Sequence, residues 1–283
     1  MLPRQPSRTL LGSAIRRGQH QLLDSPLVFH DPVIVDLVPE AADPGILPDL
    51  GPYDAIVPTL HRALMAMRAR FTEDCLTQAA QRGARQYVII GAGLDTFPWR
   101  QPDFARGMQI FAVDHPASLM WTQQRCRERG MAKPPNLIHV PVDLESQSLG
   151  EHLDTCGFDR EAISFCSVLG VIHYLDFEST VSMLRFAATL RAGSELVVSF
   201  LVSADELNGS DLDAFVRGQA RAESLGEPWK FRQRAAEFTG LLGHLGFRHV
   251  FHLTPELANE RYFKGRRDAL RAPHWEQLVA ATV

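Results

Sequence analysis

Residues 88–96 read V-I-I-G-A-G-L-D-T, and this stretch decides the fold. An apolar, β-branched run enters a Gly-x-Gly turn. Glycine is required where the backbone must turn tightly and come close to a ligand. Two places after the second glycine stands an acid, Asp95. A dinucleotide fingerprint would put a third glycine at position 96, where Thr96 stands, and would set a pyrophosphate on the following helix N-terminus. Asp95 would repel that anion. A cationic nucleoside fits better: S-adenosylmethionine (SAM) carries an ammonium and a sulfonium and no phosphate. Gly91, Ala92, Gly93 and Asp95 are therefore read as cofactor-binding residues, with a plain strand-turn-helix corner as the alternative.

Working outward, strands and helices alternate. The residues Gln86–Ile90 are the first strand, followed by runs at 109–113, 136–142, 162–168 and 195–202. Helical stretches intervene near 116–129 and 177–191. Such alternation implies a mostly parallel sheet with helices on both faces. Before the first strand, a Pro- and Gly-rich loop at 43–58 separates an N-terminal helical piece from a helix over 59–82. After position 202, residues 204–225 read as a polar helical insert. Residues 235–245 read as a helix ended by Gly246, and 247–253 as an alternating strand that fits an antiparallel closing strand.

Sites in open parallel sheets lie at the carboxyl ends of the strands. The second strand ends in A-V-D-H-P, with Asp114 and His115. Asp114 can accept both ribose hydroxyls through its two oxygens, or cap the next helix. The third ends in P-V-D-L-E, where Asp143 sits at the adenine position or serves as a loop acid. The fourth runs into S-V-L-G-V-I-H-Y-L-D, residues 167–176, which should line the pocket. His173 there is a candidate base, with a packed core histidine as the alternative.

Composition excludes several classes. The 283 residues are 45% hydrophobic and 22% charged, with net charge −4. There is no basic excess for nucleic acid and no apolar run long enough to span a bilayer. Cys75, Cys126, Cys156 and Cys166 form no C-x-x-C pair, and no tight Cys/His cluster suggests a metal. Reduced thiols point to the cytoplasm. The first 23 residues hold Arg4, Arg8, Arg16 and Arg17 and no acid, a pattern also seen in transit peptides.

With these residues in place, the chain resembles the leucine carboxyl methyltransferase family. More narrowly it is similar to the bacterial O-methyltransferases of that family, including those like the tetracenomycin polyketide enzyme. The resemblance runs through Ser7-Arg8-Thr9, Arg17, Asp31-Pro32, M-R-A-R-F-T-E-D at 67–74 and Q-Y-V-I-I-G-A-G-L-D-T-F-P-W-R at 86–100, the most specific block. It continues through V-D-H-P at 113–116, V-P-V-D-L at 140–144, G-V-I-H-Y-L at 170–175, L-A-N-E-R-Y at 257–262 and Arg266. It implies a Rossmann-like class I methyltransferase sheet, mostly parallel with an antiparallel C-terminal strand. It also implies an N-terminal helical lid and an insert after strand 5, with SAM as cofactor. The expected organisation is a single domain over 1–283. The lid and loop occupy 1–58, the cofactor core 59–203, the acceptor-side insert 204–232 and the C-terminal part of the core 233–283.

The resemblance also implies roles. Arg68 matches the arginine that pairs with the methionine carboxylate of SAM, and Arg17 a second basic residue reaching it, with Arg16 as a rival. Asp114 matches the ribose ligand, and Asp143 and Leu144 the adenine contacts. The Arg-rich start then becomes a lid. One departure stands out: the family has Glu-Gly-Val after the fourth strand, and here Leu169 replaces the acid. Either Ser167, Asp95 or a water then holds the ammonium, or cofactor binding is weaker. The implied activity is O-methylation of a carboxylate or hydroxyl of a small molecule, a secondary metabolite. A hydroxyl needs a base, for which His173 and Tyr174 are candidates. Rival readings are an N- or S-methyltransferase, a protein carboxyl methyltransferase and a non-catalytic SAM binder. Phe215, Trp229 and Phe231 are expected in the acceptor-side wall, or in ordinary packing. No nucleic acid or membrane partner is expected, and the chain is read as a monomer or homodimer.

Overall fold

The computed structural model describes residues 8–43 and 56–283. Residues 44–55 of the expected 43–58 loop, and Ser7, lie outside the described residues, and 56–58 open the long helix that follows. Two helices, α1 (Arg8–Leu23) and α2 (Pro32–Leu37), precede the long α3 (Ile56–Gln81). Then come β1 (Gln86–Ile90), α4 (Phe97–Arg100), β2 (Gln109–Asp114), α5 (Pro116–Glu128), β3 (Leu137–Pro141) and α6 (Leu149–Thr155). They are followed by β4 (Ser164–Val168), α7 (Phe177–Ala188), β5 (Glu195–Leu201) and α8 (Gly209–Ser224). The chain ends with α9 (Ala235–Leu245), β6 (His249–Leu253), α10 (Pro255–Ala258) and β7 (Glu276–Thr282).

The seven strands form one sheet in the order β3-β2-β1-β4-β5-β7-β6. β1 to β5 pair in parallel, and β7 lies antiparallel between β5 and β6. The antiparallel strand is therefore 276–282, not 247–253. The reason is burial. β6 is the edge and alternates exposed with covered residues, so it reads as a strand. β7 is covered on both faces and shows no alternation.

Successive strand residues point to opposite faces. Val88 and Ile90 join one apolar cluster with Leu153 of α6, Leu184 of α7 and Leu242 of α9. Tyr87 and Ile89 join the other with Leu64, Phe71 and Leu76 of α3. A third, smaller cluster packs Ile15 of α1 and Leu37 of α2 onto Leu94 and onto Cys126 of α5. α1 thus lies by the turn after β1, where Leu10 stands over Gly93, and α2 lies against the end of α5, where Arg125 Nε donates to the Leu37 carbonyl at 2.9 Å.

The turn after β1 is tight. Gly91 and Gly93 take φ of 73° and 49°. The Gly91 and Ala92 amides both donate to the Val113 carbonyl, at 2.8 and 3.0 Å. A Cβ on Gly91 would lie 2.1 Å from Cγ2 of Val171, in the turn after β4. Gly107 also has positive φ, 86°, but its Cβ would meet nothing within 4 Å. Gly91→Ala should therefore cost about 2–3 kcal/mol of stability, and Gly107→Ala only about 1. Denaturant unfolding of both variants checks this; equal losses would show that the Val171 contact is not limiting.

Candidate functional site

A cavity of about 1440 Å³ opens at the carboxyl ends of the parallel strands, between α1, α3 and α8. Its lining includes Arg17, Arg68, Gly91, Ala92, Gly93, Asp95, Asp114, His115, Asp143, Leu144, Ser167, Leu169, His173 and Tyr174. The sheet thus brings together the residues singled out in the sequence, although several already carry structural duties.

Asp114 Oδ2 accepts from the Gly93 amide at 2.7 Å, and Oδ1 from the His115 amide at 2.7 Å. Burial pushes this carboxyl above its usual value, against those two hydrogen bonds. The cap of α5 is His115, whose Nδ1 accepts from the Ala117 amide at 3.2 Å. Asp95 Oδ1 accepts from the Phe97 amide at 2.8 Å and lies 3.9 Å from Arg17. Asp143 closes the turn after β3, its Oδ1 accepting from the Glu145 amide at 3.1 Å. Ser167 is buried, its hydroxyl 2.9 Å from the Tyr87 hydroxyl. Leu169 is half-buried against the apolar cluster that contains Tyr87.

Arg17 belongs to a network whose pairings the sequence did not reveal. Its Nε donates to Asp31 at 2.7 Å, and its Nη2 to the Thr96 hydroxyl. Arg100 Nε donates to the same hydroxyl at 3.0 Å and lies 3.2 Å from Asp31. Arg100 also pairs with Glu73. Burial would raise the Asp31 carboxyl, but Arg17 and Arg100 outweigh it and hold it below its usual value. Glu73 goes the other way: burial raises it despite the bond from Arg100. Asp31, Glu73 and Arg100 all sat within the blocks that carried the resemblance.

A second unforeseen residue is Glu276, at the start of β7. Its carboxylate accepts from Arg68 Nη2, and both side chains are buried. Burial raises the Glu276 carboxyl, but Arg68 and then His173 outweigh it and hold it low. His173, on the one-turn helix Ile172–Tyr174, is 4% exposed. Burial lowers its imidazole to about 4, Glu276 opposing and Arg68 assisting. Its ring centroid lies 4.2 Å from Tyr174 and 5.9 Å from Trp229. Burial also raises the Tyr174 hydroxyl.

Five buried side-chain atoms without a hydrogen-bond partner belong to residues lining this one cavity: Arg68 Nε, Thr72 Oγ1, His173 Nδ1, Arg221 Nε and Trp229 Nε1. Buried polar groups are normally satisfied, so their clustering points to polar ligands here. Of the three insert aromatics, only Trp229 reaches the cavity. Phe215 and Phe231 are buried in the core, Phe215 against Trp229 and Phe231 against Phe238. Their expected place in the wall is corrected to packing behind it. Among the described residues, no group of His, Cys, Asp or Glu could hold a metal, and no helix is long and apolar enough to cross a membrane.

Removing one partner of a buried ion pair strands the other charge. Arg68→Leu alone should cost about 3 kcal/mol of stability, while Arg68→Leu with Glu276→Leu should cost less than the sum of the single changes. Unfolding of the ligand-free protein measures this; additive costs would show that the two charges are not coupled.

The sequence model of the family described as "Leucine carboxyl methyltransferase" matches residues 10–188. A Bacillus subtilis protein named "Putative S-adenosyl-L-methionine-dependent methyltransferase YktD" is 28% identical over 299 residues, covering 96% of each chain. A Mycobacterium avium protein of the same description is 29% identical over 272 residues, or 92% of this chain and 79% of that one. Among solved structures, a "putative methyltransferase" from Thermobifida fusca superposes with a TM-score of 0.61 at 16% identity, covering 98% of this chain and 95% of its own. That likeness supports the fold. The match over more than half its length, on a class I sheet, makes this chain a member of the leucine carboxyl methyltransferase family and a SAM-dependent methyltransferase.

Proposed function

We propose that the enzyme methylates an oxygen of a small-molecule acceptor, a secondary metabolite, in the cytoplasm. The observation that carries this reading is His173. It is a buried imidazole held neutral at physiological pH, with Nδ1 lacking a partner, in the wall of the cavity. A neutral imidazole can take the proton that a hydroxyl must lose. Free Cys75, Cys126, Cys156 and Cys166 suit a reducing compartment.

The residues present fit the cofactor. Asp95, Asp114 and Asp143 line the floor and suit a positively charged nucleoside, and Arg68 keeps a buried N–H without an acceptor. We assign the ribose hydroxyls to the remaining lone pairs of Asp114, the adenine to Asp143 and Leu144, and the methionine end to the Gly91–Ala92–Gly93 turn. The methionine carboxylate goes to Arg68, with Arg17 behind it. His115 and Ser167 complete the walls. With Leu169 replacing the family acid, Glu276 supplies a buried carboxylate beside Arg68. When bound, SAM would supply the electrophilic methyl group. The chain's own contribution is to orient the acceptor, exclude water and receive the hydroxyl proton at His173, with Tyr174 packed against that ring.

Asp114→Ala should weaken S-adenosylhomocysteine binding at least about tenfold by calorimetry. Unchanged affinity would remove Asp114 from the site. His173→Gln should lower kcat by about a hundredfold with cofactor affinity kept. A base active when unprotonated, with its imidazole at about 4, predicts a wild-type rate that is level down to about pH 5 and falls towards pH 4. A break near the ordinary histidine value would instead place the base in water. Mass spectrometry of the product settles the atom: a methylated nitrogen or sulfur would overturn the proposal.

A further inference from the structure

Two hydrogen-bond donors in the insert region find no well-aligned acceptor among the described residues. Arg221, on α8, forms no salt bridge there, and its Nε is buried without a hydrogen-bond partner. Trp229 Nε1 is buried too, with the Tyr174 hydroxyl beside it but no well-aligned hydrogen bond. Both residues line the cavity. Other cations of that lining are neutralised from within the chain: Arg17 by Asp31, Arg68 by Glu276, Arg100 by Glu73 and Lys230 by Glu145. A guanidinium partly withdrawn from water without a counter-ion is unfavourable, and so is a buried indole N–H without an acceptor. One planar anion can relieve both.

The Trp229 ring lies against Gly218, where a Cβ would be 2.8 Å from the indole, so no larger residue fits without displacing the ring. Gly218 is one helical turn before Arg221 on α8. On its other side the indole meets the His173 imidazole nearly edge-on, at 75° and 5.9 Å between centroids. Trp229 thus packs against α8 one turn before Arg221 and also against His173.

We propose that Arg221 and Trp229 bind a carboxylate of the methyl acceptor, which makes the acceptor a hydroxy acid with its carboxylate at Arg221 and its hydroxyl at His173. Guanidinium and carboxylate match as planar, charge-assisted partners. A carboxylate held this way has its lone pairs engaged and is a poor nucleophile. The methyl group therefore goes to the acceptor's other oxygen. That oxygen gains the methyl carbon, the C–S bonding pair stays on sulfur, and the hydroxyl proton passes to His173 and on to water. Arg221 is then a specificity residue, distinct from the base. The inference rests on the O-methylation proposed above, and its test separates the two.

Protein saturated with S-adenosylhomocysteine is titrated calorimetrically with 4-hydroxybenzoate, 3-hydroxy-2-naphthoate and 1-hydroxyanthracene-2-carboxylate, each beside its neutral carboxamide. At least one acid should bind at least about tenfold tighter than its amide. Arg221→Gln should abolish that preference and Arg221→Lys retain part of it, with S-adenosylhomocysteine affinity unchanged in both. No acid–amide preference in the wild type, the same preference in Arg221→Gln, or loss of S-adenosylhomocysteine binding in Arg221→Gln would each overturn the assignment. Turnover with SAM adds a second reading, because a methyl ether supports it and a base-labile methyl ester overturns it. If the acid preference stands but no probe is methylated on oxygen, the O-methylation reading falls and the carboxylate pocket remains.

Discussion

The turn after β1 runs so close to the turn after β4 that a Cβ at position 91 would sit 2.1 Å from the Val171 side chain. Adjacent parallel strands discharge their chains at the same end of the sheet, and here the two exits share one space. At position 91 the floor of the cavity is therefore bare backbone. That close approach turns the Gly93 amide onto Asp114, ties the turn to the Val113 carbonyl and leaves the carboxylates of neighbouring strand ends around one volume. The site follows from a steric constraint before any catalytic residue is considered.

Charges distant in sequence then set the walls. The Arg68–Glu276 pair joins α3 to β7 across 208 positions, and Arg17–Asp31–Thr96–Arg100–Glu73 joins α1, α3 and α4. A further contact reaches across the opening, where Thr9 Oγ1 donates to Glu227 at 2.8 Å and links α1 to the segment after α8. Buried ion pairs contribute little net stability, because desolvation offsets much of their attraction. Their effect is on position. Each fixes the angle of an element that apolar packing alone would leave free to slide.

The parallel part of the sheet was legible because five short apolar runs stood at strand-like spacing, the first four each leading into a residue that chemistry could recognise. Asp114 and Asp143 were found for that reason: a strand end is a place that sequence can locate. β7 was not legible. It is covered on both faces, carries two alanines and lacks the alternation that made edge strand β6 visible, so Glu276 at its start had no motif to announce it. The partners of Arg17 were hidden differently. Asp31, Thr96, Arg100 and Glu73 all lay in recognisable blocks, but their pairing is a property of the folded chain. Phe215 and Phe231 show the converse limit: aromatic content marked the insert, but not the direction in which each ring points.

His173 shows how these parts depend on one another. An imidazole next to an unpaired carboxylate would be drawn towards its protonated form. Glu276 exerts that pull, and Arg68, paired with the same carboxylate, works against it. Burial then prevails and the ring stays neutral. A protonated ring would place one more positive charge in a cavity that must admit a sulfonium, and it would have no capacity to accept a proton. Burial therefore holds the imidazole neutral, and the pair leaves that outcome standing because Arg68 offsets part of the pull that Glu276 exerts.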